Sequence, residues 1–326
     1  MSTYGFETEG IDLVRQFGDR VAGRTFLITG PSQGGIGAET AISLAHGTPA
    51  SLILVGRSLE RIQPTMDAIR AINSSIDVKF VAANLASMAS VRDAAQAILN
   101  DSSIPHIDVL INNAAVMACP YELTEDGFEL QLAAGHLGHF VLTNHILPKL
   151  LLARPGAARI INVSSLGNKA GGIVWDDPNF SKGVVAFDEW TAYGQAKTAN
   201  VLFTIELNRR LLAHHGTGVR SYALHPGNIM TNLGRTLTMD LINAAMPRFF
   251  GEGVTEHPPM KTLQQGCATT ARAALDPTLE SEEGIWLVDC QLSTDPMWIA
   301  PWALDAAGAE RCWALSEELV GEKFDL

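Results

Sequence analysis

The stretch TFLITGPSQGGIG, residues 25–37, decides the fold. Its opening Thr25–Thr29 is apolar and β-prone, and it runs straight into a glycine-rich turn: Thr29, Gly30, Pro31, Ser32, Gln33, Gly34, Gly35, Ile36, Gly37. Residues 38–45 then read as a helix. Glycines between a strand and a helix allow a tight bend and let backbone N–H groups approach a pyrophosphate. The helix N-terminus adds a dipole that favours the anion. Gly30, Gly35 and Gly37 are expected to meet the phosphates, with Gly34 enlarging the turn.

The same alternation continues down the chain. Short apolar runs at residues 51–55, 78–82, 107–111, 159–163 and 219–224 read as strands, and residues 285–288 offer one more. Between them, residues 59–72, 88–99, 128–152 and 192–214 read as helices, the third interrupted near Gly135 and Gly138. Strands alternating with helices imply βαβ units and a parallel sheet covered on both faces. The near-continuous apolar character of the strands agrees, since such strands are buried on both sides. The expected fold class is therefore α/β, a doubly wound, mostly parallel sheet. No linker or repeat divides the 326 residues, so a single domain is expected. Its cofactor half would span about 20–165, and its catalytic helix and substrate-binding part about 166–326. Residues 166–191 and 232–261 fit the rhythm poorly and leave the C-terminal ends of strands, where open α/β sheets bind ligands.

Bulk properties narrow the partners. A net charge of −12 argues against nucleic acid or an anionic membrane surface, both of which call for basic patches. Cys119, Cys267, Cys290 and Cys312 are scattered without a C-x-x-C pair, which suits a reducing compartment rather than a disulfide scaffold. The acidic first twenty residues lack the pattern of a signal peptide, and no run of about 18 apolar residues suggests a membrane span. A cytoplasmic location is expected.

Two further signals carry chemistry. Tyr193 and Lys197 stand four apart and would share one helix face. An ammonium beside a phenol favours the phenolate, so Lys197 is expected to lower the Tyr193 pKa and fit it for proton transfer near neutrality. Ser165 closes an apolar run upstream of this helix. The second strand ends in Gly56 and Arg57, where an NAD site would usually carry Asp or Glu for the ribose hydroxyls. A guanidinium suits the extra 2′-phosphate of NADP(H), which is the expected cofactor.

Taken together, these residues make the chain resemble the short-chain dehydrogenases/reductases, most of all the retinol-dehydrogenase-like branch with its fungal members. The resemblance is strong over about residues 20–235 and fainter to the end. Its motifs are the turn at 29–37, Asn112-Asn113-Ala114-Ala115, Ser165, the Tyr193/Lys197 pair and His225-Pro226-Gly227 with Ile229 and Thr231. The resemblance implies Ser165, Tyr193 and Lys197 as the catalytic set. It implies a cofactor lining of Gly30, Ser32, Gln33, Gly35, Ile36, Gly37, Arg57, Asn84, Leu85, Asn113, Ala114, Tyr193, Lys197, Pro226, Gly227, Ile229 and Thr231. Within that lining, Asn84-Leu85 stands where the family has an adenine-contacting Asp, and Ile229 and Thr231 would hold the nicotinamide carboxamide. Lys197 would contact the nicotinamide ribose.

One departure concerns Gly135, which occupies the position of the family's catalytic Asn. Its carbonyl could still hold a water for the proton relay, although the side chain is gone. The leading reading is NADP(H)-dependent interconversion of a carbonyl and an alcohol on an apolar small molecule, by a protein that could form a homodimer. Alternatives are a non-redox cyclase or isomerase on the same fold, or a non-catalytic nucleotide-binding protein. No metal site is expected: His136 and His139 read as helix-packing residues and His225 as structural. Trp286, Trp298, Trp302 and Trp313 could floor a substrate pocket or simply pack the C-terminal part.

Overall fold

In a computed structural model, residues 4–154, 158–215, 218–234, 237–254 and 259–325 are described. Strands β1 (Thr25–Thr29), β2 (Ser51–Gly56), β3 (Asp77–Ala82), β4 (Val109–Asn112), β5 (Ala158–Val163) and β6 (Val219–His225) are parallel neighbours in one sheet. Two-residue strands β7 (Asn228–Ile229) and β8 (Met260–Lys261) pair separately. The main sheet gains β9 (Trp286–Val288), parallel to β6, and β10 (Gln291–Leu292), antiparallel to β9. Its order is β10-β9-β6-β5-β4-β1-β2-β3. The chain thus starts in the middle, winds outward to β3, and returns across the centre to wind the other way. This reversal opens a crevice at the C-terminal ends of β1 and β4, where doubly wound sheets take their ligands.

Helices α1 (Gly10–Gln16), α2 (Ile36–Ala45), α3 (Leu59–Ile72) and α4 (Met88–Asn100) precede a composite segment. In that segment α5 (Leu130–Leu132) passes through a π turn, Ala133–Leu137, into α6 (Gly138–Leu151). After it come α7 (Glu189–His215), α8 (Met239–Phe250), α9 (Leu263–Leu275) and α10 (Ala306–Val320). The central strands β1, β4 and β5 are buried along their whole length, because helices cover both faces. On one face Leu27, Leu110 and Ile160 pack with α4, α6 and α10; on the other Phe26, Ile28 and Ile161 pack with α2, α3 and α9.

Sequence expectations place β1 through β6 and β9 to within two residues, and helices α2, α3, α4 and α7 to within three. The expected break near Gly135 and Gly138 is the π turn. Helices α1, α8, α9 and α10 were not expected. A signal for α9 exists: Thr262 accepts from the Gln265 backbone N–H, and the Gln265 side chain accepts from the Thr262 N–H, a capping box written as T-x-x-Q.

Candidate active site

Helix α2 begins directly after the glycine turn, with Gly35 as its N-cap and no side-chain cap. Its leading N–H groups are the donors that an anion would use. Gly30 has φ of +67°, and a Cβ there would lie 2.9 Å from Ala114 Cα. Gly37 lies so close to Asn113 that a Cβ would meet its Cγ at 3.1 Å and the Gly30 carbonyl at 3.0 Å. The turn is therefore seated against the end of β4. The Asn113 amide nitrogen donates to the carbonyls of Thr29 (2.8 Å) and Gly30 (3.3 Å). The Thr29 hydroxyl accepts the N–H groups of Asn113 (2.9 Å) and Ala114 (3.0 Å). Asn232 Nδ2 donates to the Gln33 carbonyl at 3.1 Å, which carries the segment holding Ile229 and Thr231 to the same turn.

Arg57 is exposed at the end of β2, and among the described residues no side chain engages it. Its neighbour Arg61 presents its carbonyl to the Gln33 N–H at 3.3 Å, so this corner adjoins the glycine turn. Beyond it, the backbone of Asn84 and Leu85 is fixed locally: the Asn84 N–H donates to Ser90 Oγ (3.0 Å), and Leu85 packs on Gly138, where a Cβ would sit 2.9 Å from Leu85 Cβ.

The structure brings Ser165, Tyr193 and Lys197 together. Ser165 follows the end of β5 and caps the following short turn, its Oγ accepting from the Gly167 N–H at 3.0 Å. Tyr193 and Lys197 share the buried face of α7. Lys197 Nζ lies 5.7 Å from the centroid of the Tyr193 ring and donates to the Val163 carbonyl at 2.8 Å. Burial raises the Tyr193 pKa to about 12, opposed by a hydrogen bond from the Ser165 hydroxyl. Burial also lowers Lys197 to about 7. The net shift of the phenol is thus upward, set by desolvation rather than by the neighbouring Lys197. The two groups share one apolar pocket, and desolvation disfavours the charged form of each.

Small residues that sequence reasoning passed over shape this floor. A Cβ at Gly167 would lie 2.7 Å from Tyr193 Cδ1, and one at Gly171 would lie 2.7 Å from the Thr191 carbonyl. The loop after Ser165 therefore lies flat on α7. Above the phenol, Trp190 and Ala118 pack with Ala245, Leu241 and Phe249 of α8. The Trp190 indole donates to the Leu241 carbonyl at 2.9 Å, and Arg248 pairs with Asp188. The apolar roof comes from Trp190 and α8, not from the four C-terminal tryptophans. Trp286 and Trp313 are core residues, Trp298 stacks on His225, and the Trp302 indole donates to the Asn168 carbonyl.

The Pro226-Gly227 loop is braced from behind. Gly227 has φ of +99° and rests on the stem of Lys261, which pairs with Asp289 at 2.5 Å. Ile229 fills the space left by Gly266 in α9. His225 accepts the Leu166 N–H at Nδ1 (3.1 Å), and burial pushes its pKa down to about 4, so it stays neutral. His136 and His139 do not face one ligand: the first bonds Ser316, the second Thr29. Two side-chain nitrogens reach the Gly135 carbonyl, the atom that could hold a relay water. Asn200 Nδ2 lies 2.8 Å from that oxygen and His139 Nδ1 3.2 Å, which takes up both lone pairs.

The crevice, the uncapped helix start and the Ser165, Tyr193 and Lys197 cluster define a dinucleotide-dependent oxidoreductase of the doubly wound class. The short chain dehydrogenase family pattern matches residues 24–177. Human retinol dehydrogenase 12 is 36% identical, with 94% of this chain and 89% of that protein covered. The short-chain dehydrogenase/reductase prx1 of Penicillium roqueforti is 35% identical over 93% of this chain and 86% of that protein. A solved structure from Mycobacterium paratuberculosis, described as a putative uncharacterized protein, superposes with a TM-score of 0.63 at 32% identity, covering 94% and 96% of the two chains. The chain belongs to the short-chain dehydrogenase/reductase family, in its retinol-dehydrogenase-like branch. Among the described residues, no helix is long and apolar enough to cross a membrane.

Proposed function

We propose that the protein is an NADP(H)-dependent reductase or dehydrogenase that interconverts a carbonyl and an alcohol on an apolar small molecule. The observation that carries this reading is the buried phenol of Tyr193, bonded to Ser165 and roofed by Trp190 and α8. An aromatic and aliphatic cluster packed around one serine and one phenol suits a ligand that is mostly apolar.

The glycine turn and the start of α2 would hold the pyrophosphate, and Arg57 the 2′-phosphate. Ile229 and Thr231 would border the nicotinamide end. When bound, the nicotinamide supplies or takes up the hydride. Ser165 would orient the substrate oxygen by a hydrogen bond. With its pKa near 12, Tyr193 holds its proton at neutral pH and can give it to that oxygen as the carbonyl carbon gains hydride. In the oxidative direction the Tyr193 oxygen takes the proton back from the substrate hydroxyl as the carbon loses hydride. Lys197, charged below about pH 7, would stabilise the phenolate that is left behind. The roof of α8 would exclude water from the developing alkoxide.

Incubation with NADPH and a panel of apolar aldehydes and ketones tests this reading through loss of reduced-nicotinamide absorbance. Turnover of an apolar carbonyl, with hydrophilic sugars inert, is the expected result. NADPH binding without turnover of any carbonyl would move the assignment to a non-redox enzyme or a binding protein.

A further inference from the structure

A π turn inside a helix displaces the regular i→i−4 pairing and leaves a carbonyl to be satisfied from elsewhere. Within Ala133–Leu137 the Gly135 carbonyl is met by two side-chain nitrogens. One donor to it is Asn200, from the next turn of α7 after Lys197. The other is His139, one turn further along the same composite helix. The other nitrogen of His139, Nε2, lies 2.8 Å from Thr29 Oγ1, at the root of the glycine turn.

Donor and acceptor counting sets the direction of this chain. Thr29 Oγ1 already accepts two backbone N–H groups, from Asn113 and Ala114. Its one proton can go to His139 Nε2 at 2.8 Å or to the Ile111 carbonyl at 3.5 Å. The shorter bond makes Nε2 an acceptor, so the ring proton sits on Nδ1 and points at the Gly135 carbonyl. The opposite tautomer would set the Nδ1 lone pair against that carbonyl oxygen at 3.2 Å. The Asn200 amide nitrogen, both His139 ring nitrogens and the Thr29 hydroxyl then each have a partner, and the run carries no net charge. Its five side-chain-bearing members, Asn200, His139, Thr29, Asn113 and Ala114, are partly or fully buried.

We propose that Asn200 and His139, meeting at the Gly135 carbonyl, are positioning residues that register the catalytic helix against the glycine turn, with His139 held as the Nδ1–H tautomer. The first half of this proposal rests on the functional reading above; the tautomer does not. Because the π turn packs on α7 at Ala196, loss of the Asn200 tether would let α7 drift beside Lys197 and Tyr193.

The test pairs kinetics with spectroscopy on the full-length protein. In 15N-histidine-labelled protein at pH 7.5, the resonances lost in His139→Gln should show a protonated Nδ1 and an unprotonated, hydrogen-bonded Nε2. A protonated Nε2 would overturn the chain direction. Asn200→Ala should lower kcat for an apolar carbonyl at least tenfold while KM changes less than threefold and NADPH affinity less than twofold. Unchanged kcat, or a loss confined to KM, would overturn the positioning role. Should Asn200→Ala fail to fold, Thr29→Val keeps the shape and removes only the hydroxyl. It should move the His139 Nε2 resonance and lower kcat severalfold, and an unmoved resonance would contradict the chain. If the unmutated protein turns over no carbonyl, the functional reading fails, and the resonances still decide the network.

Discussion

Replacing Gly30 by Ala separates the two demands that the turn makes on its glycines. Gly30 and Gly34 both have positive φ, +67° and +76°. An L-residue with a side chain there costs about 1–2 kcal/mol through the clash of Cβ with the backbone. At Gly34 that is nearly the whole cost, since the nearest atom to an added Cβ is Asn232 Nδ2 at 3.4 Å, an ordinary contact. At Gly30 the new Cβ would also lie 2.9 Å from both Ala114 Cα and Ala114 Cβ. That backbone cannot retreat, because the Thr29 hydroxyl and the Asn113 amide pin it from both sides. Overpacking of this kind adds about 1–3 kcal/mol. Gly30→Ala should therefore destabilise the fold by about 2–5 kcal/mol and Gly34→Ala by about 1–2 kcal/mol. Urea unfolding followed by tryptophan fluorescence and circular dichroism measures both. Equal losses in the two variants, or a Gly30→Ala protein as stable as the parent, would refute the close seating of the turn on β4.

Other consequences are equally open to measurement. Arg57→Ala should erase most of a preference for NADPH over NADH of at least tenfold, about 1.4 kcal/mol, measured by fluorescence titration with each cofactor; equal affinities in the parent would remove Arg57 from the cofactor site. Burial holds His136 and His139 down to about 3 and His225 to about 4, against an ordinary 6.5. Unfolding lets each take a proton below pH 6.5 that the fold refuses until about pH 4, so stability present above pH 6.5 is lost as pH falls. At pH 5 the loss is about 2 kcal/mol per histidine, about 6 kcal/mol for the three, and equal urea midpoints at pH 5 and 7.5 would contradict it. Lys197 is an ammonium only below about pH 7, so carbonyl reduction should decline as pH rises through 7. Lys197→Met should be slow and flat across that range, and a profile unchanged by this substitution would exclude Lys197 as its source.

The parts of the fold that were legible in sequence are those fixed by short-range patterns. The apolar runs of β1, β2, β4 and β5 are buried on both faces, so they show no alternation to misread, and glycines or Asn-Asn punctuate the ends of β1, β2 and β4. The glycine turn was legible because its geometry forbids other residues, as Gly30 and Gly37 show. Helix α8 was not legible, because its apolar face has meaning only against Trp190 and Tyr193, some fifty residues earlier in sequence. The charge states at the site also escaped. Residue spacing put an ammonium beside a phenol and suggested a lowered pKa, whereas the three-dimensional burial of both groups sets the opposite direction. The fate of the Gly135 carbonyl depended on Asn200, 65 residues away, whose spacing from Lys197 carries no signal by itself.

The central claim is that the Tyr193 phenol hands its proton to a substrate oxygen in an NADPH-dependent reduction. Tyr193→Phe keeps the ring that packs on Trp190 and Gly167 and removes only the hydroxyl. Single-turnover oxidation of bound NADPH by the best apolar carbonyl should slow at least a hundredfold in this variant, the span of one lost general acid. NADPH affinity should stay within twofold of the parent. A Tyr193→Phe protein that oxidises NADPH at the parental rate would contradict the account.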